Sequence, residues 1–303
     1  MRMNRAWMAC GLVWALLGSG AAQAGLTYSF GPDDQSIGRV FSTVAPAGAT
    51  ALATLGDGSA AFNGGLVYSA TAGRFFAIAN DGGGASSLVA FSAAAPGSFT
   101  LNQALSVGGF TGGLALNGST LYAVSTDGNG FSSLYSMDLT GGSLSLLGTL
   151  TGALYAGLAF DADDGFLYGI AADDGGIARS VRRIDLTGGV SDTELFQLGD
   201  GSLAFNGGLA YDAATDLFQV IANDALADSR LMRFDLTGAA SLTALGGSFG
   251  AGYLNAGLAL GPDREGGGGG GGGGGGNTVP EPPTPALLLA LALAWAAVPR
   301  VRR

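Results

Sequence analysis

One short phrase constrains this chain more than any other feature. It is Asn-Gly-Gly-Leu followed by a small residue and an aromatic or leucine, and it returns five times in slightly altered form. It reads Asn63-Gly64-Gly65-Leu66-Val67-Tyr68, Thr111-Gly112-Gly113-Leu114-Ala115-Leu116, Tyr155-Ala156-Gly157-Leu158-Ala159-Phe160, Asn206-Gly207-Gly208-Leu209-Ala210-Tyr211 and Asn255-Ala256-Gly257-Leu258-Ala259-Leu260. Its leucines are 48, 44, 51 and 49 residues apart. Two approaches to it are nearly identical, Leu55-Gly56-Asp57-Gly58-Ser59-Ala60-Ala61-Phe62 and Leu198-Gly199-Asp200-Gly201-Ser202-Leu203-Ala204-Phe205. A period in the forties belongs to propeller blades or to helical pairs.

The rest of each repeat decides between them. After the phrase come short apolar runs bounded by Asp, Asn and Gly, such as Phe75-Phe76-Ala77-Ile78-Ala79 and Leu217-Phe218-Gln219-Val220-Ile221. These read as strands buried on both faces. A third run, as in Val181-Arg182-Arg183-Ile184-Asp185, ends in the turn signal Asp-Leu-Thr-Gly. A fourth run, as in Ser241-Leu242-Thr243-Ala244-Leu245, alternates polar and apolar residues. Four strands that grow wetter from first to last describe a propeller blade. Helical pairs need an apolar period near 3.6 and good helix formers, which glycine and aromatic runs do not supply.

The body starts at a second strand, because Leu26-Thr27-Tyr28-Ser29-Phe30 aligns with Phe76-Ala77-Ile78, and it ends with an unfollowed first strand at residues 255–260. Pairing the two ends predicts an all-β fold: a five-bladed β-propeller of four-stranded blades, closed by a composite blade that leaves no edge open.

Charge and composition narrow the function. All 13 basic residues are arginines, and there is no histidine. Residues 25–276 carry 8 arginines against 22 acids, a net charge of −14 that repels nucleic acid and anionic lipid. The single cysteine, Cys10, falls in a leader. Cysteine–histidine zinc sites and the usual nucleophile–histidine triads are therefore ruled out. A glycosidase needs two acids near the axis. The glutamates Glu194 and Glu265 read as peripheral, and the aspartates as turn residues, so the body reads as non-enzymatic, with a polysaccharide-active enzyme as the rival.

Candidate ligand residues are those opening the five phrases: Asn63, Thr111, Tyr155, Asn206 and Asn255. At one mouth of a central channel they form a ring able to hold a sugar, or they cap turns. Aspartates after the second strands, including Asp81, Asp127, Asp173 and Asp224, invite calcium, but their spacing is that of hairpin turns; no cofactor is expected.

Both ends read as targeting segments. Residues 1–24 have a basic start (Arg2, Arg5), an apolar run over residues 6–17 and the exit Ala22-Gln23-Ala24, the order of a signal peptide. Residues 25–262 are the propeller. Residues 263–278 are a linker holding eleven consecutive glycines. A glycine tether of that length behaves as a flexible coil with an r.m.s. span of roughly 18 Å. Residues 279–303 contain Val279-Pro280-Glu281-Pro282, an apolar run, and then Arg300, Arg302 and Arg303. The 18 uncharged residues 282–299 approach the length of a single transmembrane helix, with the arginines on the cytoplasmic side. This three-part tail resembles the PEP-CTERM sorting signal of Gram-negative bacteria, with Pro299 a departure from its simplest form. The resemblance implies transient anchoring in the inner membrane, cutting by an exosortase-type membrane protease, and delivery to the cell surface or a biofilm matrix, where exopolysaccharide is a natural partner. The body's phrases resemble, less specifically, those of bacterial extracellular propellers.

Overall fold

The computed structural model describes residues 26–31, 39–43, 49–57, 59–127, 131–151, 154–226, 228–250 and 257–262. All belong to a compact unit, Met1–Asp263; the second unit, Arg264–Arg303, lies outside the described residues, as do the leader and Asn255.

In chain order, β1 (Leu26–Gly31), β2 (Arg39–Thr43) and β3 (Ala49–Thr54) are followed by the short β4 (Ala60–Ala61). Next come β5 (Leu66–Ser69), β6 (Arg74–Asp81), β7 (Ser86–Ser92) and β8 (Ala95–Ala104). A third group holds β9 (Phe110–Asn117), β10 (Thr120–Thr126), β11 (Ser132–Asp138) and β12 (Ser145–Leu150). A fourth holds β13 (Tyr155–Phe160), β14 (Leu167–Ala172), β15 (Ala178–Asp185) and β16 (Ser191–Gln197). The last comprises β17 (Leu209–Asp212), β18 (Leu217–Asn223), β19 (Ser229–Phe234), β20 (Thr243–Ala244) and finally β21 (Leu258–Gly261).

These strands form antiparallel sheets. Chain closure is direct: β21 pairs with β1 from Leu26 opposite Gly261 to Ser29 opposite Leu258, giving a closing sheet ordered β21-β1-β2-β3. The second sheet is built on β6, the third is β9–β12, the fourth β13–β16 and the fifth β17–β20. Exposure rises outward, as in the fourth sheet, where β14 is almost wholly buried and β16 mostly exposed.

The expected fold class is corrected on two points. The ring of five uniformly four-stranded blades is not what forms: four sheets have four strands, whereas the second has five, because β4 and β5 both pair with β6 across the Gly64-Gly65 interruption. The fifth sheet carries a remnant of the same feature in the isolated bridge between Ala204 and Asn223. The transmembrane helix likewise has no counterpart among the described residues: no helix there is long and apolar enough to cross a membrane, and the one helical element there is a 3-10 turn, Ala239–Ser241. Residues 282–299, on which that helix was expected, lie outside the described residues.

The innermost strands make a propeller-like ring, in which β5 touches β9, β9 touches β13, β13 touches β17, β17 touches β21, and β21 returns to β5. The repeated glycine sets this distance. A Cβ on Gly65 would lie 2.3 Å from the Leu114 nitrogen, one on Gly113 2.5 Å from that of Leu158, and one on Gly257 2.4 Å from that of Leu66. Gly65 and Gly113 also sit at φ 110° and 104°, where a side chain is strained. Larger residues fill the wedges between sheets as the ring widens. Phe75 stacks on Phe91 with ring centres 5.6 Å apart. Phe218 stacks on Phe234 at 5.4 Å. Each pair joins a second strand to a third, and such aromatic contacts add to the stabilisation from buried area alone.

The Asp-Leu-Thr-Gly signals are Asx turns, in which the side chain accepts from the backbone two residues on. Asp138 accepts from the Thr140 N–H at 2.8 Å, Asp185 from that of Thr187 at 2.7 Å, and Asp235 from that of Thr237 at 2.8 Å. The threonine hydroxyl first, and the backbone N–H second, hold each carboxyl below the usual carboxylate range.

Candidate functional site

The axis has two ends and a closed middle. The repeat-phrase leucines Leu66, Leu114, Leu158, Leu209 and Leu258 border the depressions at both ends, and none is more than 3% exposed. Between them the inner strands are so close that the glycines tolerate no Cβ, so no ligand fits through the middle.

At the end where the inner strands begin, a shallow solvent-open depression of about 10 Å³ is lined by Asn63, Thr111, Ala156 and the glycines. The five expected ring residues do not meet there. Asn63 and Thr111 border it. The side chain of Asn63 is engaged: its Oδ1 accepts from Asn80 Nδ2 at 2.6 Å, and the same nitrogen donates to the Phe110 carbonyl at 2.8 Å, joining the second sheet to the third. Ser86 Oγ donates to Asn80 Oδ1. The fifth sheet repeats this arrangement, with Asn223 donating to Asn206 at 2.7 Å and Ser229 to Asn223 at 2.6 Å. These asparagines act as struts between backbone segments. Asn255 lies outside the described residues.

Tyr155 departs furthest from the expected ring. It is 3% exposed and its hydroxyl donates to Asp192 Oδ2 at 2.7 Å. Its ring lies over Gly169, where a Cβ would come within 2.5 Å of Cε1. Asp192, on β16, also accepts from Arg182 Nε at 2.6 Å, and from the Thr151 nitrogen and hydroxyl at 2.6 and 2.7 Å. The Asp192 side chain is fully buried, and that of Arg182 is 14% exposed. Burial raises the Tyr155 hydroxyl far above its ordinary value, with the Asp192 charge next in effect. Burial alone would lower Arg182, but the bond to Asp192 and its charge raise it. This buried pair is not among the residues singled out from the sequence. Only Gly169, an unpackable residue in an apolar strand, hinted at a large neighbour.

The opposite end is of different character. A depression of about 120 Å³ is bordered by the last residues of the phrase: Tyr68, Leu116, Phe160, Tyr211 and Leu260. All five are half-buried. On its rim the Tyr211 hydroxyl sits 2.6 Å from Asp163 Oδ2 and 2.9 Å from Asp216 Oδ1, bridging the turns of the fourth and fifth sheets. Burial, then the bonds to Asp163 and Asp216, raises that hydroxyl above its ordinary value. Tyr168 donates to Asp164 at 2.5 Å. The Arg183 guanidinium lies 4.7 Å from the centre of the Phe166 ring, within cation–π reach. Period 2 along the strand links Tyr68 to Leu66 and Tyr211 to Leu209, a signal present in the phrase but passed over in favour of its first residue.

The aspartates considered for calcium point inward to their own turns. Oδ1 of Asp81 accepts from the nitrogens of Gly83 and Ala85, that of Asp173 from Gly175 and Ile177, and that of Asp224 from Leu226 and Asp228. Among the described residues, no three His, Cys, Asp or Glu side chains are grouped to hold a metal ion.

No protein-family model and no curated protein matches the chain. Solved structures with a similar arrangement include a chain of a nidogen–laminin complex (16% identity, 73% of this chain and 78% of that one, TM-score 0.48). Others are TolB from Acinetobacter baumannii (12%, 79% and 57%, TM-score 0.49) and a putative TolB from Agrobacterium tumefaciens (13%, 77% and 90%, TM-score 0.48).

Proposed function

We propose that the propeller is the non-enzymatic binding module of an exported cell-surface or matrix protein, that it holds exopolysaccharide at the Tyr68–Phe160–Tyr211 mouth, and that an exosortase-type protease processes its tail. The observation that carries the binding site is the aromatic depression itself. It is small, a shallow seat for one ring rather than a deep pocket, and it combines flat apolar walls with hydroxyls and, on its rim, carboxylates, the mixture a sugar ring matches. The sorting part rests on the order of Val279-Pro280-Glu281-Pro282, the apolar run and the terminal arginines.

Asp163 and Asp216 give the enzymatic rival its one foothold. Their oxygens lie 2.6 and 2.9 Å from one shared hydroxyl. Two carboxylates so placed stand no further apart than roughly 5.5 Å, the separation found in retaining glycosidases. The Tyr211 hydroxyl, however, occupies the space between them that an anomeric carbon would need. Their arrangement suits a turn-to-turn strut.

Retention of the purified body on the host's exopolysaccharide tests the reading. Tyr68→Ala combined with Phe160→Ala is expected to abolish retention, and Asn63→Ala to preserve it. Retention that survives the first pair and is lost in the second would place binding at the other mouth. Release of reducing ends by the wild type, lost in Asp163→Asn, would establish the enzyme instead.

A further inference from the structure

The turn after each second strand carries an aspartate, and the sheets differ in what stands six residues later. In the fourth sheet it is Arg179, whose Nε lies 2.5 Å from Asp173 Oδ2. In the fifth it is Arg230, whose guanidinium comes within 3.8 Å of Asp224 Oδ2. In sequence the same spacing joins Asp33 to Arg39, side chains outside the described residues. The second and third sheets break the pattern: six residues after Asp81 stands Ser87, and six after Asp127 stands Ser133.

The hairpins are otherwise superposable in their bonding. Asp81, Asp173 and Asp224 each use Oδ1 for the two turn nitrogens, and each backbone N–H donates to the carbonyl four residues on. What remains is Oδ2. It meets arginine in the fourth and fifth sheets, and in the second it has no partner among the described residues.

Space opens beside it. An open cavity of about 480 Å³ is bordered by Asp81, Ser87 and Val89 of the second sheet, by Asp57 and Phe62 of the loop arriving from β3, and by Phe99 of β8. Phe62 and Phe99 stand 5.7 Å apart between ring centres and form an aromatic wall. The corresponding wall of the fifth sheet is Phe205 with Leu242, as their matching approach to Gly56 and Gly199 shows. A carboxylate oxygen free to accept, a second carboxylate across the gap and an aromatic wall are complementary to a planar cation, through charge-assisted bonds and cation–π contact. The molecule already places a guanidinium over a phenyl ring at Arg183 and Phe166.

We infer that this cavity is a guanidinium-binding site that takes an arginine side chain from a partner polypeptide, in the place the fourth and fifth sheets fill with their own arginines. It is separate from the aromatic mouth and stands whether or not that mouth binds a glycan.

The probes are N-acetyl-arginine amide and its uncharged isostere N-acetyl-citrulline amide, titrated into the folded body and followed by NMR chemical shifts. Saturable shifts of residues around Ser87 are expected with the arginine probe, at least tenfold weaker binding with citrulline, and weakening with added salt. Ser87→Arg, which rebuilds the fifth-sheet arrangement, is expected to remove binding and raise the melting temperature. Asp81→Asn, which keeps the turn acceptor, is expected to weaken binding at least tenfold without that gain. No saturable shift in the wild type, equal binding of the two probes, or unchanged binding in Asp81→Asn would overturn the inference.

Discussion

The second and fifth sheets open their inner strands with asparagine, and the fourth opens with tyrosine; the three positions align, yet they are stabilised in opposite ways. Asn63 and Asn206 are bonded to a neutral amide on the next strand, Asn80 or Asn223, itself fixed by Ser86 or Ser229. These four side chains are neutral, and in the second sheet Asn80 also reaches the Phe110 carbonyl of the third. Tyr155 instead crosses its sheet from the innermost strand to Asp192 on the outermost, where it joins an ion pair with Arg182 and a tether to Thr151. Ala172 stands where the second and fifth sheets have the partner asparagine, and Gly169 makes room for the ring. A neutral strut costs little to bury and contributes modestly. A buried ion pair is a poor source of net stability, but breaking it is costly because a charge is left without its partner.

That asymmetry yields the largest expected effect. Asp192→Ala leaves Arg182, whose side chain is 14% exposed, with the exposed Glu194 at 3.5 Å as its remaining charged partner in place of a fully buried carboxylate. The loss of one partner of a buried pair should destabilise the body by about 3–5 kcal/mol in denaturant titrations. Asn223→Ala, in the neutral counterpart, should cost about 1–3 kcal/mol, the penalty for unsatisfied acceptors. Equal losses in the two variants would break the comparison, since they would mean that the Asp192 site is solvated enough to tolerate a lone arginine.

Smaller effects appear in the pH dependence. Tyr155 has a folded value raised above its unfolded 10.0, so its contribution is fully present below pH 10 and is lost as the pH rises through the folded value. The body should therefore lose melting temperature above pH 10, and Tyr155→Phe should lose less, the remainder coming from Tyr168 and Tyr211, which are shifted in the same direction. The neutral asparagine struts contribute nothing to this slope. A Tyr155→Phe curve parallel to the wild type above pH 10 would remove the tyrosine from the account. The smallest effect is expected at the acid end. Asp173, held low first by Arg179, and Asp138, Asp185 and Asp235, held low by their turn threonines, stabilise the fold above the unfolded value of 3.8. Their contribution is lost as the pH falls through their folded values, a loss that melting curves between about pH 5 and 2 would reveal.

The sequence by itself determined the repeat, the strand order within it and the pairing of the two ends of the body. These follow from local rules: apolar period, turn residues that accept bonds from their own neighbours, and glycine wherever two backbones meet. Asp185-Leu186-Thr187-Gly188 closes the same turn in any surroundings, and Gly113 is needed because its own φ is 104°. Tertiary structure decided everything that depends on which strands become neighbours. Nothing local distinguishes Asn63 as a strut from Asn63 as a ligand; its role depends on Asn80, 17 residues away. Tyr155 left the expected ring because Asp192, 37 residues on, lies beneath it. The fifth strand of the second sheet arises because residues 62–65 leave the ladder while both flanking pieces still reach β6, although the same Gly-Gly lies inside the continuous β9 of the third sheet. Side-chain direction at a repeat position is set by the volume left by neighbouring strands, and that volume exists only once the sheets have closed into the ring.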